Sequence, residues 1–190
     1  MKTPKFWYKD KSAAIILFLP FTLIWVLGSL LKKYLVKPEK FSVPIICVGN
    51  IIAGGGGKTP LTIKLAEILI KKGFNVHIIK KQYKIKSKEK IISVTKNSDA
   101  ALVGDEAILT ANIATTWLVK DRKIGIEVAI SHGASLIILD DGYQDYSIIK
   151  DFNILTVKEK QQFGNMNIIP AGPLRESLSS SLSRVDHIFY

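Results

Sequence analysis

The sequence predicts an α/β protein with a mainly parallel sheet flanked by helices, and with an apolar helix near its N-terminus. Apolar, β-branched runs such as residues 43–48 and 135–139 alternate with segments whose apolar residues recur at helical spacing. A glycine-rich turn follows the first of these runs and precedes the first helical segment. Residues 12–31 carry no charged side chain. These observations divide the chain into a membrane-associating segment at 1–40 and an α/β lobe at 41–190.

The uncharged stretch at residues 12–31 is as long as the roughly 20 residues that a helix needs to span a bilayer. Lysines lie on both sides of it, so the positive-inside rule gives no orientation. Residues 1–40 hold eight lysines against Asp10 and Glu39, and so supply +6 of the net charge of +11. This distribution favours an anionic membrane surface over nucleic acid as the partner. We predict an interfacial or re-entrant anchor, with a true span and a buried core helix as alternatives.

The glycine-rich turn has the context of a phosphate-binding loop, because it joins a predicted buried strand to a predicted helix. Glycines let the backbone fold tightly and point its N–H groups inward, and the start of the following helix adds a partial positive charge. Lys58 would reach the phosphates of a nucleotide, and the Thr59 hydroxyl would join a Mg²⁺ shell. The residues assigned to nucleotide binding are Ala53, Gly54, Gly55, Gly56, Gly57, Lys58, Thr59 and Pro60. The loop makes the predicted fold P-loop NTPase-like and the lobe at 41–190 a nucleotide-binding lobe.

Neither strict form of the phosphate-loop motif fits this turn. The pattern G-x-x-x-x-G-K-[ST] requires a glycine where the chain has Ile52, and the pattern of partition-type ATPases requires a lysine where it has Ala53. A merely flexible glycine turn is the alternative interpretation. The coincidence of strand, Gly57-Lys58-Thr59 and helix favours the phosphate loop.

Two acidic pairs are the other candidates for chemistry. Asp140 and Asp141 end the apolar run at 135–139, and in phosphate-loop enzymes an acid at such a strand end holds Mg²⁺. Asp105 and Glu106 follow a glycine and begin a helical pattern. They either complement the helix dipole or, in phosphoryl transfer, include the aspartate that accepts the proton of the attacking hydroxyl.

Taken together, these segments resemble the tetraacyldisaccharide 4'-kinase family, the ATP-dependent kinases of lipid A biosynthesis. The resemblance runs from end to end of the chain, in the order of the family's motifs. No single segment is specific, but the set is. The matching segments are residues 6–8, 48–50, 54–60, 104–106, 140–144 and 170–176.

The resemblance implies an enzyme that transfers the γ-phosphate of ATP, with Mg²⁺, to the 4'-hydroxyl of the disaccharide 1-phosphate precursor of lipid A. That substrate lies at the cytosolic face of the inner membrane, which would be the location of this chain. The implied catalytic residues are Asp105 as the base, with Lys58 and Asp141. The implied metal ligands are Thr59, Glu106 and Asp140. No oligomeric state is implied.

The chain also departs from the family pattern. The family's Arg-Gly-Tyr-Gly loop reads Lys-Gln-Tyr-Lys at residues 81–84, its histidine after the acidic motif is Asp145, and its proline after Gly-Asp-Glu is Ala107. Family members also continue into a C-terminal portion, with a histidine that partners the catalytic aspartate, for which this sequence has no counterpart. Two alternatives to an active lipid kinase follow. One is a truncated, catalytically impaired remnant, and the other is a membrane-attached ATPase switch.

Overall fold

A computed structural model of the chain describes residues 3–9, 11–54, 57–82, 89–159 and 162–190. These residues form two compact units. The terminal unit comprises Met1–Lys37, Asn50–Gly57 and Ile154–Tyr190, and the sheet unit comprises Pro38–Gly49 and Lys58–Asn153. The predicted division at residue 40 separates a membrane-associating segment from a nucleotide-binding lobe. It is a division by function, which the two compact units do not test, and it stays a prediction.

Strands and helices alternate through the chain, as the hydrophobic pattern predicts. A short 3-10 helix at Lys5–Tyr8 precedes the first long helix. The strands are β1 (Ile45–Gly49), β2 (Val76–Lys81), β3 (Ile91–Val94), β4 (Thr115–Val119), β5 (Leu136–Asp140), β6 (Phe152–Thr156) and β7 (His187–Phe189). The helices are α1 (Ala13–Leu35), α2 (Lys58–Lys71), α3 (Ala100–Val103), α4 (Asp105–Ala111), α5 (Arg122–Ser131) and α6 (Leu178–Leu182).

In the sheet unit, five strands lie in the order β3-β4-β2-β5-β1, and only β3 is antiparallel to its neighbour. All five residues of β5 are buried, as are four of the five in β1. Strands that are buried on both faces read as continuous apolar runs, which is why these segments lack the alternation of a half-exposed sheet. Burial raises the pKa of Cys47 in β1 to about 11, so its thiol stays protonated.

The register of the parallel strands brings three residues level at the carboxyl edge of the sheet. Asp140 of β5 lies opposite Val48 of β1 on one side and opposite Lys80 of β2 on the other. The chain then turns back after β5, and the Asp141 N–H still donates to the Val48 carbonyl over 2.9 Å. The ends of β1, β2 and β5 and the turn after β5 therefore share one edge, where ligands bind in open parallel sheets.

The turn after β5 packs directly on the end of β1. Tyr143 in this turn is 1% exposed. A Cβ atom placed on Gly49 would lie 2.4 Å from the Tyr143 Cβ, closer than two carbon atoms approach without displacement. Gly49 is thus required by close packing, and it sets how near the acidic turn comes to β1.

In the terminal unit, α1 leaves most of its apolar side chains exposed. Ile15 is the only buried residue of α1. The helix is long and apolar enough to cross a membrane, and only 6% of its most apolar window is buried. The alternative of a buried core helix therefore does not fit the described residues. The part of β6 in this unit, from Ile154 to Thr156, pairs in parallel with β7.

One side of α1 contacts the loop that precedes α6. The Thr22 hydroxyl donates to the Ile168 carbonyl over 3.1 Å, and the Trp25 indole donates to the Arg175 carbonyl over 3.1 Å. In the 3-10 helix, the Trp7 indole donates to the Pro170 carbonyl over 3.0 Å. These bonds fix one turn of α1 and the 3-10 helix to the loop.

We expect the substitution Gly49→Ala to destabilise the sheet unit by about 1–3 kcal/mol, because the new methyl group overpacks against Tyr143. Urea unfolding followed by circular dichroism measures the loss. Gly28→Ala in α1 is the matched control, since nothing lies within 4 Å of a Cβ atom there. Equal stability of Gly49→Ala and the parent chain would contradict the packing argument.

Candidate active site

Six charged or hydroxyl side chains gather at the carboxyl edge of the sheet unit. They come from four places: the C-terminal end of β2, the end of β5 with the residue that follows it, the start of α2 and the start of α4. Four contacts of 4.0 Å or less link their polar atoms. They are Lys58, Thr59, Lys80, Glu106, Asp140 and Asp141, and all but Lys80 are predicted site residues.

Lys58 and Asp141 form one pair in this cluster. Lys58 is the first residue of α2, and its ammonium lies 3.5 Å from the Asp141 Oδ1. Both side chains are mostly buried, at 13% and 19% exposure. Asp141 has φ +60°, the left-handed region that side chains other than glycine, asparagine and aspartate rarely adopt. Two predicted catalytic residues are therefore in contact.

Lys80 forms the second group. Its ammonium makes an ion pair with Asp140 and lies 3.9 Å from the Glu106 Oε2. Lys80 is 9% exposed and Asp140 is 4% exposed, so the pair is shielded from water. A buried charge without a partner is strongly destabilising, and each of these two residues supplies the partner of the other.

The role of Lys80 is missed by sequence reasoning, which treats it as the first residue of a basic run at 80–86. That run is open to two interpretations, a solvated loop and a rim for an anionic ligand. Residues 83–86 of the run lie outside the described residues. No local signal in the sequence separates Lys80 from Lys81 and the rest of the run, because its partner Asp140 lies 60 positions further along the chain.

Thr59 and Glu106 connect α2 to α4. The Thr59 hydroxyl donates to the Glu106 Oε2 over 2.9 Å. Thr59 is buried, whereas the Glu106 side chain is 75% exposed. Because Lys80 reaches both Glu106 and Asp140, carboxylate oxygens of these two residues converge on one cationic group.

The three predicted metal ligands fit Mg²⁺ by their chemistry. Thr59, Glu106 and Asp140 present only oxygen donors, which Mg²⁺ prefers. Among the residues that the structure describes, no group of three or more histidine, cysteine, aspartate or glutamate side chains could hold a metal by itself. Two carboxylates and a hydroxyl suit a Mg²⁺ ion that keeps waters and binds phosphate oxygens as well.

Asp105, the predicted base, lies at the edge of the cluster. It is the first residue of α4 and is exposed, directly beside Glu106. Within the described part of the chain, its side chain makes no hydrogen bond or ion pair. Gly104 before it has φ +82°, which turns the chain between α3 and α4 and points the start of α4 toward the cluster through Glu106.

The glycine loop lies in the terminal unit up to Gly57. Gly57 has φ +75°, a conformation that favours glycine, and it immediately precedes α2. The Ala53 N–H donates to the Pro173 carbonyl over 2.8 Å, so that donor is already engaged. Pro60 lies in the first turn of α2, where its missing N–H costs no helical bond. The predicted residues Gly55 and Gly56 lie outside the described residues.

Arg122 is a second residue that sequence reasoning misses. It begins α5 and is 4% exposed. Its Nη2 donates to the Asp141 carbonyl over 2.7 Å, and its Nη1 donates to the Asp145 Oδ2 over 3.0 Å. Burial raises the pKa of Asp145, but hydrogen bonds from Ser147 and the Arg122 charge outweigh burial and lower it overall. Asp145, noted in the sequence only as a departure from the family, is therefore an ionised partner of Arg122.

Comparison with known proteins agrees with the resemblance. A family model described as Tetraacyldisaccharide-1-P 4'-kinase matches residues 14–190. The tetraacyldisaccharide 4'-kinase of Parvibaculum lavamentivorans is 40% identical over 190 residues, which are 98% of this chain and 56% of the relative. That of Jannaschia sp. is 37% identical over 186 residues, which are 98% of this chain and 57% of the relative.

A solved structure has the same fold. It is a crystal structure described as the "apo" form of LpxK from Aquifex aeolicus in complex with ATP, with a TM-score of 0.78 and 32% identity. The match covers 92% of this chain and 57% of that one, so this chain spans just over half the length of the relatives it matches. The predicted fold class, a mainly parallel sheet flanked by helices with an N-terminal apolar helix, is confirmed. The chain belongs to the tetraacyldisaccharide-1-phosphate 4'-kinase family.

Proposed function

We propose that this chain transfers the γ-phosphate of ATP to the 4'-hydroxyl of the tetraacyldisaccharide 1-phosphate precursor of lipid A. The observation that carries the proposal is the contact of Lys58, at the start of α2, with Asp141 in the turn after β5. This pair joins the residue that follows the glycine loop to the acidic motif, the two parts that phosphoryl transfer requires. Family membership and the ATP named for the Aquifex aeolicus structure support it.

Lys58 is positioned to bind nucleotide phosphates. It lies at the helix N-terminus, where backbone N–H groups and the helix dipole attract anions, and the loop before it ends in the left-handed Gly57. Its contact with Asp141 holds the long side chain over this end of the sheet. The ammonium would stabilise the negative charge that spreads over the transferred phosphoryl group.

Thr59, Glu106 and Asp140 would hold Mg²⁺, which neutralises phosphate charge when it is bound. Lys80 orients the two carboxylates, because its ammonium reaches Asp140 and Glu106 at the same time. Asp105 would take the proton of the attacking 4'-hydroxyl. Its exposure beside Glu106 leaves it open to a substrate that approaches from solvent or from a membrane surface.

The exposed apolar side of α1 would bind the cytosolic surface of the inner membrane. Its other side is bonded through Thr22 and Trp25 to the Ile168 and Arg175 carbonyls. A spanning helix would carry this polar loop into the hydrocarbon, where unsatisfied backbone groups are costly. An interfacial anchor keeps the loop at the headgroup level and brings a lipid substrate to the protein.

The nucleotide site is tested by the substitution Lys58→Ala. We expect it to weaken Mg-ATP binding by about 1–3 kcal/mol, the usual contribution of a charge-assisted contact. Isothermal titration calorimetry measures the affinity. Lys64→Ala is the matched control, because Lys64 is an exposed lysine on the same helix whose recorded partner is Glu67. An unchanged affinity of the Lys58→Ala variant for Mg-ATP would contradict the assignment of residues 53–60 as a phosphate-binding loop.

Phosphoryl transfer is tested with γ-labelled ATP and tetraacyldisaccharide 1-phosphate in detergent micelles. We expect label at the 4'-position, and we expect Asp105→Asn to lower kcat by ~10²–10⁴-fold because a general base is lost. ATP binding without transfer by the parent chain would favour the catalytically impaired alternative. ATP hydrolysis without labelled lipid would favour the ATPase switch.

Membrane attachment is tested by the substitution Leu27→Glu. Leu27 lies on the exposed side of α1 and is itself 57% exposed. We expect weaker co-sedimentation with anionic vesicles, because a charge on this side opposes insertion of the apolar surface. Leu102→Glu in α3 is the matched control at 54% exposure. A reporter fused at Met1 should stay on the cytosolic side, and its appearance on the opposite side would establish a span instead.

A further inference from the structure

We propose that Arg122 and Asp145 are positioning residues that hold Asp141 in the conformation in which its carboxylate meets Lys58. The positioning of Asp141 is argued from the geometry of the sheet unit alone. Its consequence for catalysis rests on the proposed function. We call the bonds among Asp141, Arg122 and Asp145 the acidic-turn latch.

Asp141 needs such a latch because of its backbone. Its φ of +60° lies in the left-handed region, which aspartate adopts more readily than most residues with a side chain but which is still uncommon, so bonds to the neighbouring peptide groups help to select it. The Asp141 N–H is held by the Val48 carbonyl at 2.9 Å. The Asp141 carbonyl is held by the Arg122 guanidinium at 2.7 Å. The peptide groups on both sides of the Asp141 Cα are therefore fixed, one by β1 and the other by a side chain of α5.

Arg122 is itself held in place. It is the first residue of α5, and Asp121 caps that helix by accepting a hydrogen bond from the Lys123 N–H over 2.8 Å. At 4% exposure the guanidinium is out of water and requires a counter-charge, which Asp145 supplies at 3.0 Å. Its planar fork lets Nη1 bind the carboxylate while Nη2 binds the carbonyl, an arrangement that a lysine ammonium cannot reproduce.

Asp145 is also fixed through the carboxylate oxygen that does not contact Arg122. Its Oδ1 accepts hydrogen bonds from the Ser147 hydroxyl over 2.6 Å and from the Ser147 N–H over 3.2 Å. Its own N–H donates to the Gly142 carbonyl over 3.0 Å, which closes the turn that begins at Asp141. Lys150 binds its carbonyl. Both the side chain and the main chain of Asp145 are therefore engaged, so it is a rigid anchor for Arg122.

The latch ties the start of α5 to the turn after β5, and this turn carries Asp141. If the Asp145 charge is removed, the Arg122 guanidinium loses its counter-charge and its fixed position. The Asp141 carbonyl then loses the hydrogen bond from the Arg122 Nη2, which weakens the hold on the left-handed conformation. Its carboxylate would move away from the Lys58 ammonium, which it now meets at 3.5 Å. In phosphoryl transfer, displacement of a catalytic group by about 1 Å can cost ~10²-fold in rate.

The primary test is the variant Asp145→Asn, which keeps the size of the side chain and removes its charge. Crystal structures of the variant and the parent chain measure the Asp141 φ and the separation of Lys58 and Asp141. We expect Asp141 to leave φ +60° and this separation to exceed 3.5 Å. Asp151→Asn is the matched control, because the partners of the Asp151 carboxylate in the same unit are Lys40 and the Ile45 N–H. Unchanged Asp141 geometry in Asp145→Asn would overturn the latch.

A double-mutant cycle adds a readout that a general loss of stability would not move. We expect Asp145→Asn to lower kcat by ~10–10²-fold, and to lower it no further when Asp141 is already Asn, since the latch acts only through that residue. Additive losses would contradict the proposal. Failure of the parent chain to bind Mg-ATP would refute the proposed function. The Asp141 geometry in the Asp145→Asn crystal structure would then still confirm or refute the latch.

Two further variants keep the test decisive if Asp145→Asn does not fold. Ser147→Ala removes one hydrogen bond from the Asp145 carboxylate and should shift Asp141 in the same direction by a smaller amount. Arg122→Lys retains the positive charge but cannot bind the carboxylate and the carbonyl together. We therefore expect Asp141 to lose its parent conformation in this variant. A parent-like Asp141 in Arg122→Lys would show that charge alone suffices and would overturn the positioning role of the fork.

Discussion

The register of the parallel strands is the constraint on which the candidate site depends. Because Asp140 lies level with Lys80 across one ladder and with Val48 across the other, the ends of three strands meet at one edge. A slip by one residue would turn each of these side chains to the opposite face of the sheet. Lys80 and Asp140 therefore lie directly opposite each other only in this register.

Charge pairing then determines which polar groups this edge can hold. Lys80 and Asp140 are both nearly inaccessible to water, and each is stable there only because of the other. Arg122 and Asp145 form a second ion pair at the turn after β5, in which the arginine is equally shielded from water. The exposed Glu106 and Asp105 lie outside this shielded layer, at the start of α4. The site thus has a rigid inner layer of ion pairs and an outer layer that faces the surroundings.

The sequence by itself determined the fold class, the apolar N-terminal helix and the positions of the loop and the two acidic pairs. These features depend on contiguous patterns. An apolar run, a glycine cluster or an acid at a strand end appears within a few residues of chain, and its physical meaning follows from local sterics and burial. The proximity of Lys58 and Asp141 could also be predicted, because motifs that follow the ends of parallel strands share one edge of the sheet.

Only the tertiary structure decided that Lys80, Arg122 and Asp145 belong to the same edge. Each is an ordinary charged residue in its local sequence, where a basic run or a helix start explains it fully. Their partners lie 60 positions away for Lys80 and 23 for Arg122. The pairing of residues that far apart is set by strand order and by which side chains the sheet shields from water. Neither property has a local signal in the sequence, because both arise only when distant strands pack together.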